Sequence, residues 1–365
     1  MKIKCQQFLG QNHSWSIVGQ NLCRNFVKLG HQVHMISTNG LEFFPQDLAQ
    51  YLVEKPDNDY DMELSYTRMS NFPNYLQSSP NSKKLGVYTY EFSGKNALPS
   101  GFAKNVKYCT QLLPPSQFAK QVFLDSGVPE EKMTIVPHGI DFDLLHSAPK
   151  YNLKTKKKTK IILVVGQPHL RKNLDGSLDA FGKAFTSKDD VCLVLKIVDK
   201  EPTSSFEVSF RDIYKKFIIK YPKHAEIEII KQYIPNMGSL YRECQLHFSL
   251  TFCEGFGIPW LEATAFDIIN IAPNYGGQLQ FLNDNNSLLV SGKIEPAPPR
   301  SLYYEQKYGS TWFRPDVNQS VAALQNAVSN LEDLKTTFKQ YNLDNDYKQK
   351  YSWETISKQV LNMVQ

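Results

Sequence analysis

The chain has 365 residues, of which 41% are hydrophobic and 21% charged, with a formal net charge of +5. That composition belongs to a globular protein of two ordinary domains, each able to bury a core, and excludes a disordered or fibrous chain. No apolar stretch approaches the ~20 residues of a membrane helix, and the mild positive charge permits contact with anionic membranes or nucleic acid without demanding it.

Met1–Gln7 lacks the apolar stretch of a secretion signal. Six scattered cysteines (Cys5, Cys23, Cys109, Cys192, Cys244 and Cys253) show no C-x-x-C spacing and read as reduced thiols of a cytoplasmic protein.

A short strand around Lys2–Cys5 leads into a polar loop, Gly10–Ser16. Apolar residues then recur at Ile17, Val18, Leu22, Phe26, Val27 and Leu29, a helical spacing that stops at Gly30. Gln32–Ser37 reads as the next strand, which completes a βαβ unit and predicts a parallel sheet. Further strands are expected at Met62–Tyr66, Leu85–Tyr90, Gln111–Leu113 and Met133–Val136. The acidic run Asp57–Asp61 lacks the glycine and terminal glutamate of a calcium loop and reads as a solvated turn.

A lysine-rich stretch, Lys154–Lys160, precedes the apolar run Ile161–Gly166 and marks the expected domain boundary, with domains at 1–150 and 151–350. The second domain alternates again: a helix near Leu178–Phe185, a strand at Val191–Ile197, a helix at Phe210–Lys220 and a strand at Ile227–Ile230. Next comes the most informative segment. An apolar run, His247–Phe252, meets the turn Glu254-Gly255-Phe256-Gly257-Ile258-Pro259, and a helical pattern carries Glu262. A helix start behind a glycine turn offers unpaired N–H groups and a positive dipole end, which suit phosphate. Two carboxylates flanking such a turn fit a nucleotide sugar.

With these pieces in place, the chain resembles the GT-B glycosyltransferases, specifically the retaining family 4. The resemblance rests on Glu254 and Glu262 with seven residues between them, and on the loop Gly166-Gln167-Pro168-His169-Leu170-Arg171-Lys172-Asn173. It also rests on Pro115–Phe118, Ser126–Lys132 and Val136–Asp141, and on Asn274–Leu279 leading to Asn286–Val290. It covers most of residues 105–300.

The resemblance implies two Rossmann-like domains with parallel sheets facing across a cleft. The first would be the acceptor side, joined by a C-terminal helix at 351–365. Glu262 would grip the donor ribose, because a carboxylate accepts two hydrogen bonds at once. Glu254 would face the transferred sugar. Arg171 and Lys172 would neutralise the leaving diphosphate without a metal. The N–H groups of Phe256, Gly257 and Ile258 would cradle phosphate, with Gly166 and Gly10 approaching from their loops. Many family members place a histidine after the strand at Tyr88-Thr89-Tyr90 to touch the sugar; this chain departs from them with Tyr90 and Glu91, and Glu91 would orient or deprotonate the acceptor hydroxyl. His13 and Trp15 would line the acceptor side, and His138 would pack at the hinge. The family often has an arginine where Gln167 stands, which leaves one phosphate contact unassigned.

These features imply no cofactor beyond a UDP-, GDP- or ADP-sugar donor, and no stable protein partner. The acceptor stays open between a glycan or lipid-linked sugar, a hydroxymethylated DNA base supported by the lysine stretch and net charge, and a protein side chain or small metabolite. The rivals are a non-catalytic sugar-nucleotide-binding protein and an epimerase or phosphorylase on the same architecture. The location expected is the cytoplasm, including the membrane periphery.

Overall fold

The structure is a computed structural model that describes residues 1–10, 13–302 and 309–364. Gln11 and Asn12, part of the expected polar loop, lie outside those residues. The chain divides into two compact units, Met1–Ile140 with Gln349–Gln365, and Asp141–Lys348.

The first unit holds five strands: β1 (Lys2–Gln7), β2 (Gln32–Ser37), β3 (Met62–Tyr66), β4 (Lys83–Val87) and β5 (Gln111–Leu113). All neighbouring pairs are parallel, in the order β2-β1-β3-β4-β5. The expected strand at Leu85–Tyr90 starts earlier and stops at Val87, and Met133–Val136 contributes only an isolated bridge from Met133 to Leu112. Both segments are apolar because they pack under the sheet edge: Tyr88, Tyr90, Met133 and Val136 are all buried. The acidic turn is held by Lys2, which pairs with Asp57 and Asp59 at 2.7 and 2.6 Å.

One polar pair is locked inside this core. Lys4 on β1 and its register partner Glu63 on β3 are both fully buried and ion-paired. Lys4 also donates to Tyr75 O and Ser78 Oγ, and Glu63 accepts from Ser78 N, Ser79 N and Ser82 Oγ. Burial would raise the Glu63 pKa, but the Lys4 contact and these donors outweigh it and hold it below its ordinary value. The pair fastens the chain after Tyr75 to the sheet.

The last helix, Trp353–Asn362, belongs to this unit. Ser352 caps it by accepting from Thr355 N, and Ile140 N donates to Tyr351 O at 2.9 Å. Gly139 allows that crossing, because a Cβ there would sit 2.9 Å from the Trp353 ring.

The second unit has six parallel strands: β6 (Thr159–Gly166), β7 (Val191–Ile197), β8 (Glu226–Ile230), β9 (Leu246–Phe248), β10 (Ile269–Pro273) and β11 (Ser287–Val290). Their order is β11-β10-β9-β6-β7-β8. An antiparallel hairpin, β12 (Gly292–Pro296) and β13 (Thr311–Pro315), follows. Alternate residues divide the sheet's two faces. Ile161, Leu163, Leu193 and Leu195 pack with the helices Leu174–Ala184, Phe210–Lys220 and Val317–Ser329, while Ile162, Val194 and Ile230 pack with Leu240, Tyr241 and Ala263.

The lysine stretch expected to hold the boundary is tied into this second unit. Lys154 N and Thr155 N donate to the Glu228 carboxylate, and Lys158 N to Asp190. The division falls earlier, between Ile140 and Asp141.

Replacing Lys4 by Met should destabilise the protein by about 3–5 kcal/mol, the usual result of leaving one buried charge uncompensated. Urea unfolding reads this, and a loss below about 1 kcal/mol would show that Glu63 does not depend on the pair.

Candidate active site

In an open parallel sheet, ligands bind at the carboxyl ends of the strands where the order reverses. Here that point lies between β6 and β9, strands adjacent in space but far apart in sequence. The β6 chain turns at Gly166, whose φ of +62° suits glycine. After a short turn at Leu170–Lys172, Asn173 adopts the left-handed conformation and caps the helix Leu174–Ala184 by accepting from Gly176 N.

This loop is stitched to the chain leaving β9. Asn173 Nδ2 donates to Leu250 O at 2.8 Å, Phe252 N to Arg171 O at 2.8 Å, and Thr251 Oγ1 to Arg171 O at 2.9 Å. These bonds explain why the expected strand His247–Phe252 ends at Phe248. Ser249 N still donates to Ile271 O on β10 at 3.3 Å, and from Leu250 onward the chain bonds to the basic loop and to Ser177 instead of a neighbouring strand.

The stitching brings Arg171 and Lys172 onto Glu254. Arg171 Nη1 lies 3.0 Å from Glu254 Oε1, Lys172 Nζ is bonded to the same oxygen, and Arg171 also donates to Cys253 O. Glu254 is only 8% exposed. Burial would raise its pKa, but the two cations more than offset this and hold it below its ordinary value, so it is ionised at neutral pH. Nearby His169 is driven the other way, to about 3, by burial and then by Arg171 and Lys172, so it is neutral.

The turn after Glu254 is shaped by close backbone approaches. Gly257 has φ +90°, and Gly277 N donates to Glu254 O at 2.7 Å. A Cβ on Gly277 would sit 2.0 Å from Gly255 O, so only glycine lets the Asn274–Leu279 segment close on the turn. Phe256 is buried against Phe281, their centroids 5.1 Å apart. Helix Ile258–Thr264 starts here, and its first N–H groups have no acceptor within the helix.

Glu262, on that helix, is partly buried, and no cation pairs with it among the described residues. Its partner is the fully buried Tyr241, whose hydroxyl donates to Oε2 at 3.1 Å. Burial raises the Glu262 pKa to about 7, opposed by the Tyr241 bond. The two glutamates thus differ sharply: one is clamped by cations and ionised, the other sits close to its titration point.

The β12–β13 hairpin braces the same turn. Phe313 N donates to Phe252 O at 2.9 Å, Trp312 packs on the Phe252 ring at 4.2 Å, and the Arg314 guanidinium lies over that ring at 5.0 Å. Phe313 stacks on Tyr275 at 5.2 Å.

The structure therefore gathers Arg171, Lys172, Glu254, Phe256, Gly257, Ile258, Glu262 and Gly166 in the second unit. Gly10 and Glu91 lie in the first. A Cβ on Gly10 would meet Gly40 O at 1.6 Å, so the chain's own packing accounts for this glycine. Glu91 follows Val87 by a loop rather than ending a strand. His138 is buried and bonded to Tyr66 Oη through Nε2 at 3.1 Å, and burial pushes its pKa to about 3. Trp15 stacks on Tyr66 with centroids 5.3 Å apart.

Sequence reasoning missed two residues. Asn173 was readable, since an Asn ahead of a helical pattern is a capping signal. Tyr241 carried no such signal, because only the fold brings it to Glu262.

Residues 150–297 match the family model described as glycosyl transferases group 1. That match falls within the second unit and covers less than half of the chain. The chain's two parallel-sheet units match GT-B structures in fold. A glycosyltransferase from Rickettsia africae shares 16% identity and a TM-score of 0.71, over 100% of this chain and 98% of that one. Anabaena HepE, solved with UDP and glucose, shares 13% and 0.69, over 100% and 99%. Sucrose-phosphate synthase from Thermosynechococcus elongatus shares 15% and 0.69, over 100% and 98%. No curated protein matches the sequence.

Two outcomes follow from this geometry. Gly277→Ala should cost roughly 1–3 kcal/mol of stability, since the turn must open to admit the methyl group; an unchanged melting temperature would refute that. Glu262 holds its proton more tightly folded than unfolded, where its ordinary value is 4.5. Between that pH and about 7 the folded state binds more protons, so stability falls as pH rises. The melting temperature of wild type relative to Glu262→Gln should therefore drop from about pH 5 to about pH 8; a difference independent of pH would contradict it.

Proposed function

We propose that the chain transfers a sugar from a nucleotide sugar to an acceptor hydroxyl of a glycan or glycolipid, with retention of configuration and without a metal. The observation that carries this reading is the convergence of Arg171 and Lys172 on Glu254 at the strand-order reversal, with Glu262 on the helix that follows.

The chemistry follows from charge. A nucleoside diphosphate leaves readily only if its growing negative charge is met, and a fixed pair of cations at a partly desolvated site meets it. Arg171 and Lys172 take that role. Glu254, kept ionised by the same cations, is unsuited to donate a proton at neutral pH. It serves instead as an acceptor for sugar hydroxyls and as an anion beside the positive charge that develops at the anomeric carbon. Glu262 accepts from the ribose hydroxyls, with Tyr241 holding one of its oxygens. The N–H groups of Phe256, Gly257 and Ile258 face the phosphates, and Gly166 leaves room beside them. That HepE was solved with UDP and glucose supports a nucleotide-sugar donor.

The acceptor site is assigned to the first unit, as the resemblance implies. No helix among the described residues is long and apolar enough to cross a membrane, and the proposed location is the cytoplasm or the membrane periphery. The lysine stretch supports the DNA-base acceptor less well than its charge alone does. Its backbone is tied to Glu228 and Asp190, which accounts for much of it as a structural segment.

Lys172→Ala should lower kcat by roughly 10²–10³-fold, as loss of one electrostatic donor does elsewhere. Glu262→Ala should act mainly on donor KM. Full turnover by both variants with every nucleotide sugar that binds would sink the assignment. Retention is checked by NMR of the first-formed anomer. Donor affinity should also rise from about pH 6 to about pH 8 as Glu262 ionises, and Glu262→Gln should flatten that profile. A nucleotide sugar is the right probe, because its diphosphate has no terminal phosphate to titrate in this range.

A further inference from the structure

Lys196 has no part in the function proposed above. It lies in β7 and is 8% exposed, yet its ammonium makes no hydrogen bond or ion pair with any described residue. Lysine is almost never buried this far unless it is paired. Burial lowers its pKa, and no neighbouring charge opposes the shift.

Its place in the sheet is informative. Lys196 is flanked by Val164 on β6 and Ile230 on β8. Side chains alternate along a strand, so Lys196 shares a face with Val194 and Ile230, the face that packs with Tyr241 and Ala263. That face carries the helix of Glu262. Lys196 is the penultimate residue of β7, at the carboxyl end of the sheet, and the chain just beyond it is bonded to the β6 turn through Val198 N and Gly166 O at 2.8 Å.

We infer that Lys196 is a nucleotide-binding residue whose ammonium donates to a carbonyl oxygen of the donor's base. This rests on the nucleotide-sugar reading above. In that reading Arg171 and Lys172 meet the diphosphate and Glu262 meets the ribose. The base is the portion left over, and Lys196 is an unpaired cation on the same face, one strand farther from the β6–β9 reversal. An ammonium has three donors and no acceptor. It therefore suits an oxo base, uracil or guanine, and not the exocyclic amino group of adenine. The competing account is a lysine that merely reaches along the sheet edge to water.

The test uses the full chain, calorimetric titration with UDP, GDP, ADP and inorganic pyrophosphate, and the variant Lys196→Met, with Lys196→Ala as a second truncation. Wild type should bind UDP or GDP in preference to ADP. Both variants should bind that nucleotide roughly tenfold more weakly or worse, the usual loss of a hydrogen bond to a charged group. Pyrophosphate affinity should stay within about twofold. The melting temperature of Lys196→Met should hold or rise, since an unpaired buried cation has been removed. Unchanged nucleotide affinity in a folded variant overturns the inference, as does preference for ADP. An equal loss for pyrophosphate assigns Lys196 to the phosphates and overturns the base contact. Failure of wild type to bind any of the three nucleotides overturns the nucleotide-sugar reading itself.

Discussion

The candidate site depends on a single carboxylate. Glu254 lies where the chains leaving β6 and β9 come together, and without it two cations, Arg171 and Lys172, would face each other in a poorly solvated space. Like charges so placed repel strongly. The carboxylate makes the arrangement stable, while Asn173, Thr251 and Phe252 hold the two backbones in register. The same carboxylate gives the site its polarity. Arg171 and Lys172 carry more donors than Glu254 takes, so they can face an anion while still holding the carboxylate.

Much of the fold was legible because burial writes a period into the sequence. Gln32–Ser37, Met62–Tyr66, Gln111–Leu113 and Val191–Ile197 form the strands expected of them; Met62–Tyr66 and Val191–Ile197 are buried throughout, while Gln32–Ser37 buries only Val33 and Met35. The failures cluster at the carboxyl ends of strands. Tyr88, Tyr90 and Leu250 remain apolar and buried after their strands have ended, and no one-dimensional pattern separates a strand from a buried loop that continues it. Those loops are also where the candidate chemistry sits.

Within the candidate site, spacing singled out the paired glutamates, and the family resemblance singled out the basic loop. Spacing could not expose Tyr241 or Lys196, because Tyr241 lies on a helix packed on one face of the sheet and Lys196 on a strand of that face, and only the fold brings them there. Nor could it show that Glu254 and Glu262 differ in ionisation, a difference set by Arg171 and Lys172 on one side and a lone tyrosine hydroxyl on the other. Glu262 and Lys196 are both groups whose burial disfavours the charged form. A ligand that relieves both would return that cost as binding energy, so an unliganded domain less stable than it might be is the expected companion of a tight one.

The hairpin β12–β13 carries a different lesson. The family match stops at residue 297, after β12 and before β13. Yet β13 supplies the Phe313 bond, the Trp312 ring and the Arg314 contact that hold Phe252, two residues ahead of Glu254. The matched segment is therefore smaller than the unit that bears the mechanical load. A fragment of this chain cut at residue 297 would keep both glutamates and lose the brace on Phe252.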